Sequence, residues 1–273
     1  MKIVVNLVII VLVMCASAEE HTSYLPRFVE NTAFGLGERL QFSVEYGIIK
    51  AGTAVLSVNG PESYEGYLAY IITATAESNS LFNSFFEVHD VNEALLDIVQ
   101  FHTLKFSKDL NEGDYSFTEE VFFNQDAGTV FYPEETDSIK RNMVIPPHAL
   151  DVLSCFYFAR TLPLEVGETY YIDCHTDNEN YPLEIVVHEE ETIRVPAGTF
   201  ECILIEPNLE SAGIFRNEGS ILIWVTNDER HMPVLMRSAI VIGEIVCVLE
   251  EYTVTEPLEV ENPGFRVYGV ETE

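Results

Sequence analysis

Basic residues are scarce in this chain. Lys and Arg number 14 against 45 Asp and Glu, a formal net charge of −31 over 273 residues. Such a polyanion is repelled by nucleic acid and by anionic membrane surfaces, so neither is an expected partner. The acidic residues are spread along the chain, which suits solubility first and cation binding second. Cysteine is sparse as well: beyond residue 18 only Cys155, Cys174, Cys202 and Cys247 remain. Their spacing matches no zinc pattern, and each has apolar neighbours. Buried thiols are the first expectation and a disulfide the alternative, with connectivity left open. No G-x-S-x-G elbow, H-E-x-x-H pair or glycine-rich phosphate loop occurs. No catalytic residue and no cofactor is therefore expected.

Long apolar runs are confined to the start. Lys2, the run IVVNLVIIVLVM and Ala16-Ser17-Ala18 have the order of a secretory signal peptide, residues 1–18. Cys15 raises a lipoprotein alternative, although Met14 stands where a small residue is expected. Nothing later approaches the ~18 apolar residues of a membrane span. The expected location is outside the cytoplasm, periplasmic or extracellular.

Strand patterns fill most of the remainder. Short apolar-rich runs recur from Arg39 to Val254, separated by turn signals such as Asn111-Glu112-Gly113-Asp114 and Asp126-Ala127-Gly128. The expected fold is mainly β: antiparallel curved sheets forming an open barrel or a sandwich. In IRVPAGTFECILIEP (193–207) the Pro196-Ala197-Gly198 turn predicts a three-residue hairpin loop with a bulge at Gly198. The alternating apolar residues after it predict a strand buried on both faces. SLFNSFF (80–86) predicts a short helical turn.

One helix is predicted near 147–161. Pro146 and Pro147 suit its start, Pro163 its end, and the residues between are apolar on every side. It is expected to be enclosed by the sheet. The chain is then one β-rich domain over 19–255, or two halves, about 34–145 and 162–255, joined by the helix. The acidic tail 256–273 is expected to be partly disordered.

Candidate site residues are few. Asp151 and Arg160 flank the helix, nine residues apart and so on nearly opposite faces; their placement suits its dipole. Asp151, Tyr157 and Arg160 remain ligand candidates, with Asp90, Asp228 and Trp224. Turn chemistry also explains Asp228, and core burial explains Trp224. In DCHTDNEN (173–180), Asp173, His175 and Asp177 would share one strand face, a weak calcium candidate lacking the turn glycine. The HEEE run (188–191) is expected to be a solvated strand edge.

Four stretches then combine into a resemblance: GERLQFSVEYGIIKAGTAVLSV (37–58), DVLSCFYFAR (151–160), VPAGTFECILIEP (195–207) and IWVTNDERHMPVLMRSAIVIGEIVCVL (223–249). In this order they resemble the exported bacterial family known as domain of unknown function 3108. The resemblance implies a secreted or periplasmic β-protein and no established reaction. The implied sheet around a helix is similar in architecture to half-barrel carriers of lipoproteins. Extreme acidity and four cysteines depart from many relatives.

The leading functional expectation is a non-catalytic module that binds an apolar, amphiphilic or glycan envelope molecule in the concave face of its sheet. The alternatives are a scaffold partner in an envelope assembly, and a polysaccharide-acting enzyme with paired carboxylates.

Overall fold

A computed structural model describes residues 25–137, 141–208, 221–239 and 243–267. The expected signal peptide and residues 268–273 of the expected tail lie outside these. The strands are β1 (Arg27–Phe28), β2 (Arg39–Tyr46), β3 (Ile49–Tyr64), β4 (Tyr67–Ser78), β5 (His89–Asp97), β6 (Thr103–Glu112), β7 (Tyr115–Asn124), β8 (Thr129–Phe131) and β9 (Asn142–Val144). After the helix α1 (Val152–Ala159) come β10 (Thr169–Thr176), β11 (Glu179–Val195), β12 (Gly198–Asn208), β13 (Ile221–Thr226), β14 (Pro233–Ala239), β15 (Glu244–Thr253) and β16 (Arg266–Val267).

Fourteen of these strands form one antiparallel sheet that does not close. Its order is two meanders, β10 to β15 and β2 to β9, joined where β15 pairs with β2. Buried Tyr70 and Ile72 on β4, and Ala94 and Leu96 on β5, recur at every second position. That is the period of a strand face turned to the core, and on the opposite face Ala69 and Leu95 join a small cluster with Leu104. β1 and β16 pair in parallel as a separate ribbon, and Leu258 and Val260 of the acidic segment pack on the core.

The sheet wraps around α1. The helix touches edge strand β10 and also β4 and β5, far away in the sheet order. The open seam is stitched mainly by side chains: Asn180 Nδ2 donates to the Val144 carbonyl (2.7 Å), and Tyr132 Oη lies 2.8 Å from His175 Nε2. Leu150 adds a one-residue parallel bridge to Cys174. The architecture is thus the open barrel of the two expected forms.

α1 is shorter than predicted. Asp151, not the proline pair, is its N-cap: Oδ1 accepts from Leu153 N (2.8 Å) and Ser154 N (3.0 Å). This is the favoured role of an aspartate before a helix. Residues 146–150 stay out of the helix: Ala149 N donates to the Pro146 carbonyl (3.2 Å) across a turn in which His148 has a φ of 59°, and Leu150 is hydrogen-bonded to Asp173 and His175 of β10.

The hairpin also differs from expectation. Val195 pairs with Gly198, so Pro196 and Ala197 alone form the loop. β12 is buried on both sides: Ile203 and Ile205 join the cluster around α1, while Cys202 and Leu204 join a second one with Leu40, Phe42 and Trp224. HEEE lies beyond the last β10–β11 pair, Thr169–Val186, so on that side it is a strand edge, with Glu189 and Glu190 exposed as expected. On its other side it pairs with β12, where the register shifts between Val187 and Glu190 and a bulge takes up one extra residue.

Candidate functional site

The concave face beside α1 is not hollow. Phe34, Tyr157, Phe158 and Phe101 fill it, with Phe34 and Tyr157 edge-to-face at 4.9 Å. Around these four rings the packing leaves no room for the expected ligand.

An apolar groove opens where the side chains of the sheet shrink. Its floor is Gly52, Ala54, Ala76 and Ser78, which pair across β3 and β4 as Gly52–Ser78 and Ala54–Ala76. Val44 sits opposite Gly52 on one side and Cys247 on the other. A Cβ on Gly52 would collide with the Glu77 carbonyl, so glycine is required for strands this close.

The roof is the loop between β4 and β5. Asn79 starts it: Oδ1 accepts from Leu81 N (3.0 Å) and Phe82 N (3.1 Å), and Nδ2 donates to the Lys50 carbonyl (2.6 Å). The predicted turn follows as a 3-10 helix, Phe82–Ser84. Its far end is fixed by Ser78, whose Oγ accepts from Val88 N (2.7 Å), and by Gly113 N donating to the Glu87 carbonyl (2.7 Å). Phe82 and Phe86 are thereby held over the floor.

The groove encloses about 380 Å³, within the usual range of small-molecule sites. Burial pushes the Cys247 thiol up to about 11, so at neutral pH it is an uncharged wall. Glu45, Glu77, Asp90 and Glu112 stand at the rim. A collar of exposed apolar side chains borders it: Ile48 is fully exposed, and Leu81 and Phe85 are 62% and 84% exposed.

The predicted site residues scatter. Asp90 reaches the groove rim, where Oδ1 accepts from Asn111 N (2.9 Å). Asp151 is fully buried and also accepts from Thr103 Oγ1 (2.6 Å); burial raises its carboxyl. Tyr157 is buried in the core, and burial raises its phenol. Trp224 is buried in the second cluster with the Arg237 guanidinium 5.3 Å from its ring, so it offers no open face. Arg160 and Asp228 meet at a second hollow, at the C-terminal end of α1.

Asp173, His175 and Asp177 do not converge. Asp177 and Asn178 are the two loop residues between paired Thr176 and Glu179, with φ of 49° and 62°. Two left-handed residues make a type I′ hairpin turn, and Asp and Asn tolerate that conformation. Asp177 bonds Lys108 (2.6 Å), and both His175 nitrogens are engaged, by Tyr132 and Asn180. Among the described residues no three His, Cys, Asp or Glu are placed to hold a metal. All four cysteines are free thiols, Cys247 being only half-buried.

Val44, Phe82, Phe86 and Cys247 escaped sequence reasoning. The available signal was three phenylalanines in seven residues of a short loop. A surface depression around Lys108 gathers Glu93, Asp109, Glu119, Glu120 and Glu134, and burial raises the Glu119 carboxyl. Val91 is the one apolar residue lining it.

A β-barrel-like protein of domain of unknown function DUF1849 from Brucella abortus has the same fold. It is 9% identical, with a TM-score of 0.52, over 82% of this chain and all of that one. Two further structures match at TM-scores too low to bear an argument. One is a candidate exported protein with a YmcC-like fold from Bacteroides fragilis (14% identity, 84% and 99% coverage, TM-score 0.34). The other is a candidate lipoprotein from Parabacteroides distasonis (12%, 82% and 100%, TM-score 0.33). No curated protein matches the chain. A family profile does, across residues 41–250, and the chain belongs to that family, described as protein of unknown function DUF3108.

Proposed function

We propose that this chain is an exported, non-catalytic binding module that holds the apolar part of an amphiphile under Phe82 and Phe86. The observation that carries the proposal is the groove itself, floored by Gly52, Ala54 and Ala76 and walled by apolar groups. A half-open apolar slot with carboxylates only at its mouth suits a ligand whose tail enters and whose uncharged or cationic head stays outside. Export rests on the signal-peptide pattern of residues 1–18.

Titration with Nile red, a neutral apolar dye, tests the groove. One saturable site per chain is expected. Ala76→Phe should fill the floor and Phe86→Ser should open the roof, and each should weaken binding while the protein stays folded. Undiminished binding in both variants would overturn the assignment. Native mass spectrometry of protein purified from its own envelope would then identify the natural occupant.

The scaffold reading has one observation in its favour, the exposed collar of Ile48, Leu81 and Phe85. Under that reading Ile48→Glu abolishes co-purification of a partner and leaves Nile red binding intact.

A further inference from the structure

The second hollow, about 990 Å³, lies where α1 ends. Its floor is apolar, from Leu162, Leu164 and Ile203. Two of its lining residues, Leu164 and His231, have a φ of 38°, in the left-handed region that non-glycine residues rarely adopt. Such strained positions cluster at ligand sites.

His231 is held there by a turn. Asp228 Oδ1 accepts from Thr226 Oγ1 (2.7 Å) and Arg230 N (3.0 Å), and the Asp228 carbonyl accepts from His231 N (3.2 Å). His231 is 8% exposed, and its Nδ1 lies 2.8 Å from the Arg160 carbonyl. A carbonyl only accepts, so Nδ1 carries the proton. Burial lowers the pKa of the ring and keeps it neutral. Nε2 is then a bare lone pair, and no described residue bonds it.

The cationic donors near this lone pair are already committed. Arg160 gives Nη1 and Nη2 to Glu38, shares Nη2 with the Ala33 carbonyl and gives Nε to the Arg230 carbonyl. Arg230 turns to Thr255 and Glu256, and Thr161 Oγ1 donates to the Phe158 carbonyl. The charges left facing the hollow are the carboxylates of Glu165, Glu190, Asp228 and Glu229. The end of a helix adds further negative potential.

We propose that this cleft binds an organic cation, a primary ammonium on a short apolar body. His231 Nε2 accepts one N–H, Glu190 and Asp228 balance the charge, and the Leu162–Leu164–Ile203 floor takes the carbon chain. This site is independent of the groove under Phe82.

Isothermal titration with hexylamine, hexanol and sodium hexanoate tests it. Hexylamine should bind saturably and hexanoate should not. His231→Phe, and separately Glu190→Gln at an exposed position, should each weaken hexylamine by about tenfold. Ala76→Phe should leave it unchanged, which separates this cleft from the groove. In the His231 imidazole spectrum the Nε2 nitrogen resonance should shift on binding. Equal binding of hexanoate, no hexylamine binding, or hexylamine binding indifferent to both variants would overturn the proposal.

Discussion

Removing the Glu38 carboxylate should destabilise the fold strongly. Glu38 and Arg160 form a two-pronged ion pair at 2.7 and 3.0 Å, with their side chains 0% and 1% exposed. The guanidinium also lies 5.3 and 5.2 Å from the Phe34 and Tyr157 rings. In Glu38→Ala it keeps two carbonyl acceptors but loses its countercharge in a dry site. Breaking a buried pair in this way costs about 3–5 kcal/mol. At about 2–4 °C per kcal/mol for a chain of this size, Tm should fall by about 6–20 °C. Urea unfolding followed by circular dichroism gives the free energy directly. Glu38→Leu combined with Arg160→Met should recover most of the loss, because it removes the desolvated charges together. A cost for Glu38→Ala below about 1 kcal/mol would refute the reasoning, for it would mean that water reaches the pair.

Two further outcomes follow from burial. His102, His148, His175 and His231 all have pKa values lowered by burial, His148 to about 4. The unfolded chain takes up these protons near pH 6.5 and the folded one only at lower pH, so stability should fall as pH drops from 6.5 towards 4. Asp97 and Asp151, raised by burial, act with the opposite sign. His102→Gln isolates the imidazole share: its urea midpoint should change less between pH 7 and pH 5 than that of the parent, and an equal change would count against the argument. Burial also raises the thiols, Cys202 to about 12 and Cys247 to about 11. Ellman's reagent at pH 8 should therefore react slowly with the native protein and release four equivalents in urea; two or fewer equivalents would reveal a disulfide.

Most of the sheet was legible because its signals are local. Each long strand carries its own alternation, and the β4–β5 loop announced its turn in SLFNSFF. β1, β9 and β16, of two or three residues each, hold no full period to detect. The helix start was misplaced because two prolines mimic an N-terminus, whereas a turn at Pro147-His148 and the bonds of Leu150 to β10 hold that stretch out of the helix. Asp177-Asn178 shows the same conflict, one acidic stretch serving equally as a cation loop or a I′ turn until strand pairing decides. The groove was harder still. It is made by what Gly52, Ala54 and Ala76 lack, and its wall joins Val44 to Cys247 across a pairing that no local pattern reveals. The state of His231 likewise depends on a carbonyl 71 residues away.

That same pairing orders events during synthesis. Tyr46 lies opposite Ile245, 199 residues later. The meander from β2 to β9 can zip hairpin by hairpin as the chain emerges, and so can β10 to β15. The β2 edge, however, must wait bare until nearly the whole polypeptide has appeared, with Leu40 and Phe42 uncovered. Closing so long a loop adds little to the equilibrium cost, since that cost grows only with the logarithm of length. It weighs on time instead: a long-lived unpaired edge is where newly made copies can stick to one another. A holding chaperone would serve this chain best at β2, and its help would be needed until β15 arrives.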